Sequence, residues 1–169
     1  MEGKVRIIVL MGVSGCGKSL IGTSLAKRMG LKFIEGDDYH SAENKEKMAQ
    51  AIPLHDEDRL SWLEKLRNLF QENRNSLVVS CSALKKSYRE VLTSDDTKLI
   101  FVHLHTSQEV IEQRLKGRKG HFFNPGLLSS QFEILEPLES GELGFQVNVV
   151  HPEHLVLAEI ITRLDDYNL

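Results

Sequence analysis

Gly12-Val13-Ser14-Gly15-Cys16-Gly17-Lys18-Ser19 is the stretch on which the reading of this chain turns. It satisfies G-x-x-x-x-G-K-[ST] at every fixed position. Glycines in such a loop let backbone N–H groups point inward at phosphate oxygens, where side chains would block the approach. Lys18 then offers a cation to the outer phosphates, and the Ser19 hydroxyl is a ligand for Mg²⁺. The flanks supply the context the pattern requires. Residues 7–11 (Ile-Ile-Val-Leu-Met) form a continuous apolar run that predicts a buried central strand. Residues 18–29 place Leu20, Ile21, Leu25 and Met29 on one helical face, and Gly30 stands where a C-terminal helix glycine belongs. The start of that helix adds its positive dipole end to the phosphate site. Gly12, Val13, Ser14, Gly15, Cys16, Gly17, Lys18 and Ser19 are therefore all assigned to nucleotide phosphates, with ATP and Mg²⁺ as the expected cofactors. Cys16 is read as a loop filler whose backbone does the work.

Outward from the loop, apolar runs alternate with amphipathic stretches, the pattern of an α/β domain with a parallel sheet. Further strands are expected at 31–35, 77–81, 98–104 and 146–150. Helices are expected at 56–73, with Leu60, Leu63, Leu66, Leu69 and Phe70 inward, and at 84–92. Another begins at a Thr106–Glu109 capping box and turns Val110, Ile111 and Leu115 inward. The last opens with Pro152 in its first turn, with Leu155, Leu157, Ile160, Ile161 and Leu164 as apolar positions. Two stretches break the rhythm: the charge-rich 36–54 and the basic 116–125. In such sheets ligands bind at the carboxyl ends of strands, and inserted segments tend to close over them.

The bulk composition narrows the options. A chain of 169 residues suits a single domain over 1–169 with one core. A net charge of −3 gives no general attraction to nucleic acid or to an anionic membrane, so neither partner is expected. The two cysteines, Cys16 and Cys81, fit packing or loop roles rather than a disulfide framework. The apolar run at 7–13, interrupted by Gly12, is too short to span a bilayer and lacks a cleavage pattern, which points to the cytoplasm. His103 and His105 share a face of one strand, but two ligands make no closed zinc site. Trp62 falls within a leucine stripe and reads as packing.

Glu35-Gly36-Asp37-Asp38-Tyr39-His40 follows the second strand. Glu35 and Asp37 are two apart and share a face in extended chain, with Gly36 leaving room for a ligand. Phosphoryl transfer to an alcohol needs a carboxylate to accept the hydroxyl proton, and another often serves the metal. Asp37 is assigned as the base and Glu35, with Ser19, to the metal. The third strand ends in Ser80-Cys81-Ser82, with no acid at its tip to hold the metal instead.

At this point the residues resemble the small gluconate kinases, which phosphorylate D-gluconate on its 6-hydroxyl. The strings that carry the resemblance run in order over nearly the whole chain. After the phosphate loop come Gly36-Asp37-Asp38-Tyr39-His40, Asn44, Lys47-Met48, Pro53-Leu54-x-Asp56-x-Asp58-Arg59 and Trp62-Leu63. Then follow Cys81-Ser82-Ala83-Leu84-Lys85-Lys86-x-Tyr88-Arg89, Arg118-Lys119-Gly120-His121-Phe122-Phe123, and Ser130-Gln131-Phe132-Glu133-x-Leu135-Glu136-Pro137. The sequence departs from the family at Ser41 and Ser61, where prolines are usual, at Ala51 for glycine, and at His55 for asparagine.

The resemblance implies a three-layer P-loop kinase fold with a five-stranded parallel sheet, like that of nucleoside-monophosphate kinases, and a lid over about 116–126. It implies D-gluconate as the small-molecule partner and allows a homodimer. An anionic polyol needs a cation for its carboxylate and hydrogen-bonding groups for its hydroxyls. His40, Arg59, Ser82, Lys86 and Arg89 stand in matching motifs for that task, with Arg59 and Arg89 as forked clamps. Within the basic run of the lid, Arg118 is assigned to the transferring phosphoryl, and Phe122 and Phe123 to packing. Arg114 is assigned to adenine, with residues 151–152 opposite. The alternatives are a related kinase for shikimate or another sugar acid, and a nucleotide-dependent switch. Against the switch, the chain has no Asn-Lys-x-Asp guanine-reading motif.

Overall fold

A computed structural model describes residues 5–118 and 124–167. The central apolar run becomes β1 (Arg6–Met11). The chain continues through α1 (Lys18–Met29), β2 (Lys32–Glu35), a short 3₁₀ turn at Gly36–Tyr39, α2 (Ala42–Ala49), α3 (Asp56–Glu72), β3 (Leu77–Ser80) and α4 (Lys86–Leu92). Then follow β4 (Lys98–His105), α5 (Gln108–Lys116), α6 (Pro125–Ile134), β5 (Gly144–Asn148) and α7 (Glu153–Asp165). The five strands form one sheet in the order β2-β3-β1-β4-β5, and every neighbouring pair is parallel. This is an α/β P-loop kinase architecture.

Strand alternation explains the two halves of the core. Ile8 and Leu10 of β1 point to a cluster that includes Ile21 and Leu25 of α1, Ile111 of α5 and Ile160 of α7. Ile7, Val9 and Met11 point the other way, onto Trp62, Leu66 and Phe70 of α3 and Tyr88 and Leu92 of α4. A strand buried on both faces must be apolar throughout, and β1 is. Its C-terminal end delivers the chain into residues 12–19, and β2 and β3 end beside it. The carboxyl edge of the sheet is therefore where the functional candidates gather.

Several expectations are corrected. Leu20, Leu60 and Leu155 do not turn inward: they are 56%, 47% and 50% exposed. On α1 the buried face runs instead through Gly22, where an added Cβ would lie 2.4 Å from the Phe33 ring. On α3 the inward positions include Arg59 and Trp62, and on α7 Val156 takes the place of Leu155. The cap of α5 is Ser107, whose side chain accepts from the Val110 N–H, and not Thr106. Pro152 caps α7 from just outside it. Two helices were not foreseen. α2 starts at a Ser41 cap that accepts from the Asn44 N–H at 3.1 Å. α6 starts at Asn124, which caps Gly126 and Leu127, with Pro125 as its first residue. Among the described residues no helix is long and apolar enough to cross a membrane.

Candidate active site

The loop between β1 and α1 is built on close backbone approach. Gly12 sits at φ 142°, and a Cβ there would lie 2.6 Å from the Leu104 carbonyl oxygen. Only glycine combines that conformation with that contact. The Lys18 ammonium curls back over the loop, donating to the carbonyls of Gly12 (3.0 Å) and Val13 (2.9 Å). The first turn of α1 has no side-chain cap and no acidic residue. Its N–H groups and the positive end of its dipole are thus directed at whatever anion the loop receives. The Cys16 side chain is buried beneath the loop, as a filler should be.

Glu35 at the end of β2 is the hub of the metal candidates. Ser19 Oγ donates to Glu35 Oε2 and Ser80 Oγ donates to Glu35 Oε1. Ser80 Oγ in turn accepts the Gly36 N–H at 3.2 Å. One carboxylate beside one hydroxyl suits Mg²⁺, which keeps waters and takes phosphate oxygens rather than a full protein cage. Among the described residues no group of three or more His, Cys, Asp or Glu side chains converges on a metal. Ser80 was missed in the sequence because a serine at a strand end carries no signal of its own.

Asp37 and Glu35 do not share an extended face. The chain turns into a 3₁₀ helix at Gly36, so Asp37 leaves the strand direction. Gly36 is glycine because β3 lies against it: a Cβ would lie 2.1 Å from the Ser80 carbonyl oxygen. The space that the sequence reading gave to a ligand is filled by backbone. Trp62 Nε1 donates to the Gly36 carbonyl at 2.8 Å and so ties the turn to α3. His40 is buried and stacks on the Trp62 ring, with centroids 4.0 Å apart. Burial, reinforced by the charges of Arg59, Lys45 and Lys65, lowers its pKa to about 4. The neutral ring lies 3.3 Å through Nδ1 from the Asn44 amide nitrogen. That nitrogen is a donor, so the imidazole proton belongs on Nε2, which lies 3.8 Å from Asp37 Oδ1. His40 is therefore a buried neighbour of Asp37 rather than a free surface group, and Asp37 stays half exposed.

The acceptor-side candidates separate into two groups. Arg59 lines a cavity of 790 Å³ together with Lys47, His55, Asp56, Lys85 and Tyr88. Its Nε donates to the Leu54 carbonyl at 3.4 Å, and its guanidinium lies 5.5 Å from the centre of the Tyr88 ring. Its terminal nitrogens have no protein hydrogen bond among the described residues, so the fork is available to an anion. Asp56 accepts from Tyr88 Oη at 2.5 Å and from Lys85 Nζ at 2.9 Å, and these bonds hold its carboxyl below its usual pKa. Cys81, just beyond β3, is buried, and burial pushes its thiol up to about 12.

Arg89 and Lys86 do not belong to this group. Arg89 is 1% exposed and fully committed. Its Nε and Nη2 grip Glu142 at 2.5 and 3.0 Å, and Nη1 donates to the carbonyls of Ala83, Leu84 and Glu136. It is the peg that holds residues 136–142 onto α4. Lys86 pairs with Glu139 at 2.6 Å beside a separate cavity that Arg89 also lines. Its neighbour Lys85, the extended residue just before α4, faces the Arg59 cavity instead. Ser82 lies at the tip of β3, where its carbonyl accepts the Gly12 N–H at 3.2 Å.

On the other side of the loop, Arg114 and Arg118 line a cleft of 170 Å³ with Gly15, Gly17, Leu20 and His151. Arg114 donates to the Val149 carbonyl. Leu20 is exposed because it forms a wall of this cleft. The remaining basic and aromatic lid assignments, Lys119, His121, Phe122 and Phe123, lie outside the described residues.

His103 is buried near the end of β4, and its Nδ1 has no hydrogen-bond partner among the described residues. Burial, with His105 and Arg89 nearby, lowers its pKa to about 4. The unfolded chain protonates both His40 and His103 near 6.5, while the folded protein resists until about 4. Between those values the unfolded state binds more protons, so stability falls as pH drops from 6.5 to 4 and is unaffected by these groups above 6.5. Urea unfolding at pH 7 and pH 5 should show a smaller acid loss in His103→Leu than in the wild type. An equal loss in both would contradict a neutral buried His103.

The family model described as shikimate kinase matches residues 14–133. A probable gluconokinase of Xenopus tropicalis is 40% identical over 177 residues, covering 94% of this chain and 93% of the relative. An unliganded sugar kinase from Janibacter sp. HTCC2649 superposes with a TM-score of 0.89 at 40% identity, covering 95% of both chains. A gluconokinase from Sinorhizobium meliloti 1021 superposes with a TM-score of 0.82 at 37% identity, covering 98% of this chain and 99% of that one. With this identity and coverage, the chain belongs to the gluconokinase family, within the wider shikimate-kinase group of P-loop kinases.

Proposed function

We propose that this protein is a gluconokinase, an enzyme that transfers the γ-phosphoryl group of ATP to the 6-hydroxyl of D-gluconate, giving 6-phospho-D-gluconate and ADP. The observation that carries the reading is the set of groups at the carboxyl edge of the sheet: the Lys18 cation folded over the loop, the half-exposed Asp37 carboxylate on the turn after β2, and the Arg59 guanidinium lining a cavity with Lys47 and Lys85. A phosphate donor, a base and an anion clamp are what an alcohol kinase for a sugar acid needs.

The steps follow from the residues. ATP phosphates bind backbone N–H groups of the loop other than those of Gly12 and Cys16, which the carbonyls of Ser82 and Val13 already hold, and Lys18 leaves the carbonyls of Gly12 and Val13 for phosphate oxygens, which carry more charge. Arg114 and Arg118 flank the cleft assigned to adenine and the outer phosphates. Arg59, with Lys85 beside it, takes the gluconate carboxylate, which sends the far end of the six-carbon chain toward the loop. Asp37, beside His40, accepts the proton as the 6-oxygen bonds to the γ-phosphorus and the bond to ADP breaks. Mg²⁺ held by Ser19 and Glu35 would neutralise charge on the phosphates. The segment around 116–126 serves as the lid of one kinase domain. The setting is the cytoplasm, in keeping with Cys16 and Cys81 both being free thiols.

An ADP-release assay over gluconate, other sugar acids, shikimate and nucleoside monophosphates tests the substrate. Turnover with gluconate well above the rest is expected, and turnover only with another acceptor would overturn the proposal. Arg59→Met keeps much of the stem but removes the fork, so KM for gluconate should rise by about 10²-fold, with KM for ATP nearly unchanged. An unchanged gluconate KM would place the carboxylate elsewhere.

A further inference from the structure

In this structure the phosphate loop is held by a side chain that the chemistry above does not use. The Ser14 N–H donates to Gln131 Oε1 at 2.7 Å, and Gln131 Nε2 donates back to Ser14 Oγ at 3.1 Å. Ser14 lies between Gly12 and Gly17 within the loop assigned to phosphate, where the N–H groups of Gly12 and Cys16 are already held by the carbonyls of Ser82 and Val13. A side-chain amide oxygen on that N–H is a neutral copy of a phosphate oxygen.

The glutamine is presented by a helix with its own anchors. α6 is capped by Asn124 and begins with Pro125. Its Leu128 is buried in the same cluster as Val13 and Cys16. Ser129 Oγ accepts from Gln108 Nε2 of α5 at 2.9 Å. The two-point contact to Ser14 is thus made from a docked element rather than by a wandering side chain. On the same helix, Ser130 and Ile134 line the acceptor cavity.

We propose that Gln131 is a built-in competitor for the phosphate site, a positioning residue that satisfies the Ser14 N–H until nucleotide displaces it. The exchange favours the nucleotide, because a hydrogen bond to a charged phosphate oxygen is roughly twice as strong as one to a neutral amide. The apparent affinity is still lowered by the fraction of loops that hold Gln131. Displacement frees Gln131 at the boundary between phosphates and acceptor, and α6 carries the change to the acceptor wall. The inference rests on reading residues 12–19 as the phosphate site.

Calorimetric titration with Mg-ADP separates the two claims. Binding to the wild type that is clearly weakened in Lys18→Ala supports the loop reading, and no binding to the wild type overturns that reading and the inference with it. Given that binding, Gln131→Ala should tighten ADP by about threefold to tenfold, the equivalent of one net hydrogen bond. Gln131→Glu should weaken it at least about tenfold at pH 8, because an ionised carboxylate holds the N–H harder and repels phosphate. Melting adds a readout free of activity: Gln131→Ala should melt below the wild type without nucleotide and level with it at saturating ADP. ADP binding that is weakened or unchanged in Gln131→Ala, or a melting deficit that persists at saturating ADP, would overturn the inference.

Discussion

Asp37→Asn is expected to lower kcat by roughly 10²- to 10⁴-fold, the range that a positioned general base contributes. The side chain keeps its size and its place on the 3₁₀ turn, so the loss falls on the chemical step. KM for ATP should change little, since the phosphates are held by residues 12–19. The supporting shell makes the effect specific. His40 is stacked on Trp62 and faces Asp37 from 3.8 Å, and Trp62 pins the turn through the Gly36 carbonyl. If the variant turned over near the wild-type rate, the base would have to be another group. Single-turnover measurement with ATP and gluconate checks this without interference from product release.

Lys18→Ala is expected to cost about 10²- to 10³-fold in kcat, comparable to removing one preorganised group that stabilises transition-state charge. It should also weaken ADP binding. The fold should survive, because among the described residues the Lys18 ammonium bonds to loop carbonyls, comes near the Cys16 thiol, and anchors no element of the core. Unchanged kcat/KM in a folded Lys18→Ala would show that residues 12–19 do not serve phosphate.

What could be read from the sequence was what depends on local pattern. The bounds of α1, from Lys18 to a left-handed Gly30, follow from a glycine-rich start, an apolar face and a glycine stop. The central strand follows from its uninterrupted apolar run. What could not be read depended on partners distant in the chain. Arg59 and Arg89 both stand in charged strings near a helix, and nothing local distinguishes them. Their difference is made by Glu142, 53 residues beyond Arg89, which consumes one guanidinium while the other stays available. The choice between Lys85 and Lys86 rests on where α4 begins. Gly36 looked like room for a ligand because the sequence does not show that β3 passes within contact of it. The exposed Leu20 looked like core because an apolar residue on a helix gives the same local signal whether it lines a surface cleft or the interior.

The most direct test of the account is the position of the phosphate in the product. ³¹P NMR of the reaction of ATP with D-gluconate should show a new phosphomonoester whose phosphorus couples to two protons, as a phosphate on the terminal CH₂ of carbon 6 requires. A phosphorus coupled to a single proton would place transfer on a secondary hydroxyl, and no new ester beside released ADP would mean hydrolysis; either result would contradict the account.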